Sequence, residues 1–359
     1  MSEHRGAITR EGELYPSPAR ALDYLEVDPP EPGRAIELGA RLLWARIPLP
    51  MELNHINVWL LDDGDGWTLV DTGMAEDVCR EAWLQLEPGD LGGRPLRRIF
   101  ITHDHPDHMG LSPWLHERHG APIWMSGIGH SSMGEFLRAS PEEVQARRHG
   151  FLAAHGMELS LEAQRKLSGG SHARWYGGVP PLGRQVGGGD RIDAGGREWD
   201  VIETSGHCRG HLCLYDAGNE VLISGDQVLP TISPNVSVLA SRPEANPLGE
   251  FLDSLALLEQ CSPATLVLPS HGRPFRGLHR RIETVRSHHF EQLGLLREAC
   301  RDAPRSALDV MPVMFGRPLR GFHRLLALGE TVAHLNYLWH AGQVGRHVAA
   351  DGRITFAAG

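Results

Sequence analysis

The sequence predicts an α/β fold made of two halves, and three observations lead to this prediction. Apolar strand-like runs alternate with helix-like patterns from Arg41 to Met125, and the alternation returns between 198 and 270. Several apolar runs end in a polar residue beside a glycine, as strands do where they lead into functional loops. The chain has 359 residues, 41% of them hydrophobic, which is enough for one large domain and a small one.

The net charge and the first residues of the chain argue against a nucleic-acid-binding, secreted or membrane-spanning protein. A net charge of −10 argues against a general nucleic-acid surface, which requires an excess of Lys and Arg. Residues 1–35 form a polar arm without the apolar core of a signal peptide, and no later stretch has the length and apolarity of a membrane span. Five cysteines without CxxC spacing are typical of reduced thiols. We therefore predict a cytoplasmic protein with a loosely held arm.

The first half opens with strand patterns around a turn. The cluster 62–66 between apolar runs predicts an antiparallel hairpin that brings Asp71 to the sheet edge. Helix and strand patterns then alternate up to Met125. The predicted elements are strands at 42–47, 56–61 and 67–70, a helix at 74–85, a strand at 96–101, a helix at 108–119 and a strand at 121–125.

The most informative stretch is Thr102-His-Asp-His-Pro-Asp-His-Met-Gly110, which follows an apolar strand. His103 and His105 are two residues apart, so both imidazoles can face one ion, while Asp107 and His108 can turn toward a second point. Neutral imidazole and carboxylate are ligands for zinc, iron or manganese. The sequence therefore predicts a metal site in this loop.

Further ligand-type residues follow other apolar runs. Thr204 to His211 contains His207, Ser224-Gly225-Asp226 follows a strand-like run, and Ser270-His271-Gly272 follows another. A glycine beside each of them allows the backbone to turn sharply. We expect these residues to meet the His-rich loop along one edge of the fold.

These motifs resemble those of the metallo-β-lactamase superfamily, in its binuclear hydrolase branch, over about residues 40–275. The resemblance implies an αββα sandwich, with helices outside both sheets, and two divalent metal ions, zinc first, with iron or manganese as alternatives. Asp71 would hold the His-rich loop in place, and His211 would lie outside the ligand set, as a structural or pocket-lining residue. The implied ligands are His103, His105 and His207 for one metal, Asp107, His108 and His271 for the second, and Asp226 as the bridge.

The resemblance also implies an enzyme. Two such ions share a water and lower its pKa, so that a bridging hydroxide attacks a carbonyl or phosphorus. Asp226 and Asp107 are the predicted catalytic residues, the first orienting the hydroxide and the second passing a proton to the leaving group. We predict hydrolysis of a carboxylic ester, thioester or lactone in a small molecule, with phosphodiesterase or nuclease activity as the alternative. A redox di-iron protein and a metal-binding protein without turnover are further alternatives.

Three residue choices weigh against other branches of the superfamily. Asp226 stands where antibiotic-hydrolysing enzymes have a Cys or no bridging Asp. His105 stands where the flavodiiron members have Glu. A complete second ligand set differs from the single-iron persulfide dioxygenases. The acyl group and the metal stay open, and a homo-oligomer is compatible with the sequence.

The segment 126–181 is predicted to be a helical cap over the metals, although a peripheral helical hairpin is the alternative. Helix patterns at 135–156 and 161–167 are interrupted at Ser140-Pro141, where Ser140 and Glu143 form a capping-box pattern. His172, Trp175 and Tyr176 are the predicted pocket residues.

The tail is predicted to form a separate small domain. Helix patterns at 278–300, 306–315 and 331–341 precede a hairpin with an Asp-Gly turn, which resembles the winged-helix-like module of one branch of the superfamily. The apolar last helix favours packing on the catalytic domain over nucleic-acid binding. The predicted domains are an arm at 1–35, a catalytic domain at 36–275 and a C-terminal domain at 276–359.

Overall fold

The computed structural model describes residues 22–39, 41–160, 162–164, 172–316 and 319–358. These residues contain two seven-stranded sheets and a separate hairpin. The first sheet consists of β2 (Ala35–Glu37), β3 (Leu42–Pro48), β4 (His55–Asp62), β5 (Trp67–Val70), β6 (Leu96–Phe100), β7 (Ile123–Met125) and β8 (Leu182–Gln185). The second consists of β1 (Asp23–Tyr24), β9 (Arg191–Ala194), β10 (Arg197–Thr204), β11 (His211–Asp216), β12 (Val221–Gly225), β13 (Leu266–Pro269) and β14 (Phe275–Arg276). The hairpin consists of β15 (Gly345–Val348) and β16 (Ile354–Ala357).

Both sheets mix antiparallel and parallel pairs. The order of the first is β2-β3-β4-β5-β6-β7-β8, with β5 to β8 parallel. The order of the second is β1-β14-β13-β12-β11-β10-β9, with β12 and β13 parallel. Parallel neighbours end at the same edge of a sheet. The loops after β5 and β6 therefore leave the first sheet side by side, and those after β12 and β13 do so in the second.

Helices cover the outer face of each sheet. A buried cluster that includes Trp44, Trp59 and Trp199 fills the space between the sheets, and two further clusters pack the helices on the outer faces. This is the αββα arrangement that the sequence resemblance implied, and the structure confirms it. The helices are α1 (Asp77–Leu86), α2 (Pro106–Met109), α3 (Ser112–His119), α4 (Gly127–Arg138), α5 (Pro141–Ala154), α6 (Pro247–Leu258), α7 (Leu278–Ala299), α8 (Ala307–Phe315) and α9 (Gly321–His340).

Strand β3 is buried on both faces, which explains why the sequence of the first half contains continuous apolar runs. Leu42 and Trp44 point into the cluster between the sheets, whereas Ala45 and Ile47 point into the cluster under the helices. Successive side chains of a strand face opposite sides, and here both sides are buried. The sequence therefore shows an apolar run where a half-exposed strand would alternate.

Several element boundaries differ from the sequence prediction. The last helix begins at Gly321 rather than 331, and its first residue follows a position without a side-chain cap, so the usual start signal is missing. The helix predicted from 108 consists of two pieces, α2 and α3. The described part of the arm is not loose: Leu22 is buried, and β1 pairs with β14. The rest of the arm, 1–21, lies outside the described residues.

The cap segment contains α4 and α5, and Ser140 and Glu143 form the predicted capping box at the start of α5. The end of α5 lies against the C-terminal helices, because Leu308 N donates to the carbonyl of His155 at 3.1 Å. Most of the predicted helix 161–167 lies outside the described residues. The hairpin of β15 and β16 forms as predicted, while the winged-helix comparison and the domain boundaries stay predictions. Within the described residues, no helix meets the length and apolarity of a membrane span.

Candidate metal centre

The seven predicted ligands come together where loops from both sheets meet. Loops after β6, β10, β12 and β13 carry them, so each half of the fold contributes. The ligand atoms of each group lie within 4.8 Å of one another. The two groups are His103, His105, His207 and Asp226, and Asp107, His108 and His271.

The first group has three imidazoles around one point. The Nδ1 atom of His105 lies 3.0 Å from Nε2 of His103 and 3.0 Å from Nε2 of His207. His103 is buried, and the other two rings are half-buried. Three converging imidazole nitrogens are a common ligand set for one zinc ion.

The second group lies beside the first. Oδ2 of Asp107 is 3.5 Å from Nε2 of His108 and 3.3 Å from Nε2 of His271. Both imidazoles are buried. The group thus offers one carboxylate and two imidazoles to a second ion.

Asp226 lies between the two groups and presents one oxygen to each. Oδ2 lies 3.4 Å from Nε2 of His207, and Oδ1 lies 3.5 Å from Nε2 of His108 and 3.4 Å from Nε2 of His271. This is the position that a carboxylate bridging two ions requires.

Three unpaired atoms at the centre test whether these residues fit metal ions. Nε2 of His108, Nε2 of His271 and Oδ1 of Asp226 are buried and have no hydrogen-bond partner among the described residues. Each buried polar atom left unpaired costs about 1–3 kcal/mol. Coordination would satisfy all three, and imidazole with carboxylate suits divalent zinc, iron or manganese. The residues therefore fit a pair of divalent ions, and the individual ligand assignments stay a prediction.

The Nδ1 atoms of four imidazoles are occupied by partners outside the two groups. These bonds leave Nε2 to face the centre and select the ring orientation, as outer partners of metal-binding histidines do. The partners are Thr102 Oγ1 for His103 at 3.1 Å, Asp71 Oδ2 for His108 at 2.8 Å, the Asn235 carbonyl for His207 at 2.9 Å and the His55 carbonyl for His271 at 2.8 Å.

Asp71 holds the start of the His-rich loop. Its carboxylate accepts from Thr102 N at 2.8 Å and Thr102 Oγ1 at 2.8 Å, in addition to Nδ1 of His108. Its backbone has φ 62°, in the left-handed region that Asp and Asn tolerate better than most residues. The side chain therefore fixes both the loop backbone and one imidazole.

Replacing Asp71 with Asn should weaken metal binding by about 10–100-fold. Asn tolerates the same backbone conformation, but its NH2 group would face the donors of Thr102 and His108. Titration with Zn²⁺ against a chromophoric chelator measures the change. Asp216→Asn is the matched control, since Asp216 is also buried but ends β11 away from the centre. Equal metal affinity in the two variants would contradict the role of Asp71.

His211 lies outside both groups, where the resemblance put it. Its Nδ1 lies 2.9 Å from Thr204 Oγ1, and its Nε2 accepts from the backbone N–H of Asp226 at 3.1 Å. The contact requires a glycine at position 225, because a Cβ there would lie 2.3 Å from Nε2 of His211 and would clash with the ring. His211 thus supports the backbone of Asp226, and its role stays a prediction.

Burial and charge shift the pKa values of the imidazoles in opposite directions. Burial and neighbouring imidazoles lower the pKa of His105 to about 3 and hold the pKa of His103 well below its ordinary value. Burial also lowers the pKa of His108, but the carboxylates of Asp107, Asp226 and Asp71 outweigh this effect and raise it well above the ordinary value. In the metal-free protein these carboxylates therefore favour the protonated form of His108.

Metal affinity should rise as the pH is raised from about 6 to about 8. The pKa of His108 is raised in the folded, metal-free protein, so a bound ion must displace its proton, and displacement becomes easier as protons become scarce. Competition titrations across this range measure the affinity, and calorimetry in buffers of different ionisation enthalpy counts the released protons. Affinity that does not change with pH would be the contrary result.

The predicted pocket residues lie on a 3₁₀ turn, His172–Trp175, and directly after it. The hydroxyl of Tyr176 donates to the carbonyl of Asp104 in the His-rich loop at 2.8 Å, and the Trp175 carbonyl accepts from Ala75 N at 2.9 Å. These contacts hold the turn against the loop. The side chain of His172 lies outside the described part of the chain. A part for these three residues in the pocket stays a prediction.

Two residues that support the centre, Asn57 and Thr102, were given no role by the sequence analysis. Asn57 is buried in β4 and donates from Nδ2 to the carbonyls of Pro269 and Gly272, at 2.8 and 2.9 Å, on both sides of His271. A polar residue inside the apolar run of β4 was the available signal. Thr102 begins the His-rich motif, but its bonds to Asp71, 31 positions away, have no counterpart in the local sequence.

Comparison with protein families gives two matches. A model described as the metallo-beta-lactamase superfamily matches residues 51–271. A model described as the metallo-beta-lactamase-like C-terminal domain matches residues 293–359. The first match contains all seven residues of the candidate centre, and the second contains the end of α7, helices α8 and α9 and the hairpin of β15 and β16.

Three known proteins are similar over most of the chain. The crystal structure of a beta-lactamase domain protein from Burkholderia ambifaria is 40% identical, with a TM-score of 0.86, and the match covers 94% of this chain and 98% of that chain. A probable metallo-hydrolase of Bacillus subtilis, YqjP, is 25% identical over 82% of this chain and 90% of that protein. The acyl-coenzyme A thioesterase MBLAC2 of Gallus gallus is 26% identical over 76% of this chain and 92% of that protein.

Proposed function

Because the chain belongs to the metallo-β-lactamase superfamily and is a metallo-hydrolase, we propose that it cleaves a carboxylic ester, thioester or lactone in a small molecule. The observation that carries the proposal is Asp226, whose two oxygens face two separate groups of ligand atoms. Divalent ions in those groups would supply an activated water as nucleophile and Lewis-acid stabilisation of the oxyanion.

Two carboxylates of this chain have the proposed chemical roles. Asp226 lies between the groups, so it orients the attacking water and accepts its proton. Asp107 lies beside it, next to His271, and would pass the proton that Asp226 takes from the water on to the leaving group. In the metal-free protein, His108 and His271 lower the pKa of Asp226 well below its ordinary value despite burial.

A thioester is the first substrate class to test. Two similar proteins support it: the MBLAC2 protein of Gallus gallus is named an acyl-coenzyme A thioesterase, and a similar protein of Fuscovulum blasticum is named a hydroxyacylglutathione hydrolase. The net charge of −10 supports a small substrate over a polyanionic nucleic acid. Zinc is the first metal proposed, with iron and manganese as alternatives.

A matched substrate panel tests the proposal. Metal-loaded protein is assayed on a thioester, a lactone, an aryl ester and an aryl phosphodiester, with chelated protein as the control. Chelator-sensitive cleavage of the acyl compounds is the expected result. Cleavage of the phosphodiester alone would overturn the acyl assignment and favour the phosphodiesterase alternative.

A further inference from the structure

The loop after Asp226 connects the candidate metal centre to the C-terminal helices. Its residue Asn235 offers its backbone carbonyl to Nδ1 of His207 at 2.9 Å. This bond places the proton of the neutral imidazole on Nδ1 and leaves Nε2 free for an ion. The position of the Asn235 backbone therefore sets the orientation of the His207 ring.

The side chain of Asn235 is held on both of its polar atoms. Nδ2 donates to Oε2 of Glu330 on α9 at 3.2 Å, and Oδ1 accepts from Oγ of Ser237 at 2.6 Å. Glu330 is only 2% exposed, and a carboxylate is rarely so deeply buried without a specific partner. The contact joins residues that are 95 positions apart in the chain.

Helix α9 packs directly against this loop. Val238 N donates to the carbonyl of Gly329 at 3.1 Å, and a Cβ on Gly329 would lie 3.0 Å from Oγ of Ser237. A glycine in the interior of a helix lowers the stability of the helix. The close approach of the loop explains why a glycine is present at position 329.

Helix α7 holds the earlier part of the same loop. The buried guanidinium of Arg281 donates to the carbonyls of Leu229 and Ile232, at 2.6 and 2.8 Å. His289, on the same helix, lies 3.3 Å from Oγ of Ser233. Helices α7 and α9 therefore hold the loop at positions from Leu229 to Val238.

We propose that Glu330 is a positioning residue for the metal centre, acting through Asn235 on the orientation of His207. The C-terminal helices thereby take part in metal binding although none of their residues belongs to the two ligand groups. This inference rests on the proposed ligand role of His207.

The test compares Glu330→Ala with Asn235→Ala. Each variant should bind Zn²⁺ about tenfold more weakly, the lower end of the range for residues that support a metal ligand. Each should also change the visible absorption spectrum of the Co²⁺-loaded protein, because that spectrum reports ligand geometry. Since the two side chains act in one chain of contacts, the double variant should show little further loss.

Two variants separate positioning from general damage. Thr331→Ala is the matched control, because Thr331 is buried on the same helix and its hydroxyl donates to the carbonyl of Ala327, within that helix. It should leave the affinity and the Co²⁺ spectrum unchanged. Glu330→Gln keeps an acceptor oxygen for Asn235, so it should restore most of the affinity lost in Glu330→Ala.

Three outcomes are decisive. Wild-type affinity and spectrum in Glu330→Ala would overturn the inference, and so would fully additive losses in the double variant. His207→Ala distinguishes the inference from its premise. If His207→Ala keeps wild-type metal content, the ligand assignment itself fails; if it loses metal while Glu330→Ala does not, only the positioning role fails.

Discussion

An Asp226→Asn variant is expected to lose hydrolytic activity by about 10²–10³-fold and to lose bound metal with it. The carboxylate faces both ligand groups, with oxygens 3.4 Å from His207 and from His271. Asn has nearly the same shape but no charge, and its NH2 group cannot coordinate a cation. The loss should therefore appear in metal content as well as in turnover.

The control for this prediction is Asp253→Asn, which removes an exposed carboxylate from α6. It should bind two metal ions per chain and turn over at the wild-type rate. Metal content by elemental analysis and kcat/KM on the best substrate of the panel are the measurements. Full turnover in Asp226→Asn would refute the assignment of this residue as the bridge.

A Gly206→Ala variant should lower the free energy of unfolding by about 3–5 kcal/mol. Gly206 precedes His207 and has φ 103°, a conformation that side chains rarely adopt. A Cβ there would lie 2.3 Å from Cβ of Phe251 and 2.5 Å from its backbone N. Phe251 is fully buried on α6, so neither the helix nor the loop can move without opening the core.

Gly189→Ala is the control that measures the cost of backbone strain without a steric clash. Gly189 has φ 87°, but a Cβ there would meet nothing within 4 Å. This variant should lose only the strain energy, about 1–2 kcal/mol. Denaturant unfolding measures both variants, and equal losses would show that the contact with Phe251 contributes nothing.

Sequence patterns predicted the elements whose signals are local. The apolar run at 56–61 became β4, and the Asp-Gly turn near the end of the chain lies in the hairpin of β15 and β16. The start of α9 could not be read in this way. Its first half contains Arg, His and Gly without a capping side chain, and it is held by tertiary packing on α7 and α8.

The same distinction between local and distant signals applies to the residues of the candidate site. His103, His105, Asp107 and His108 share one short motif, so their proximity was predictable. The residues that orient them were less visible, because orientation depends on contacts between distant segments. Thr102, for example, donates a hydrogen bond to Asp71, and Asn235 donates one to Glu330. A single sequence contains no pattern for such pairs.

The contribution of both sheets to each ligand group has a consequence for the stability of the whole chain. The first group combines His103 with His207, and the second combines His108 with His271, so each proposed ion joins the two halves. Such ions are non-covalent cross-links that exist only while both halves are folded. On this proposal the protein gains about 2.7 kcal/mol against unfolding for each ion present at 100 times its Kd. The fraction of chains that unfold then depends on the supply of free metal as well as on the hydrophobic core.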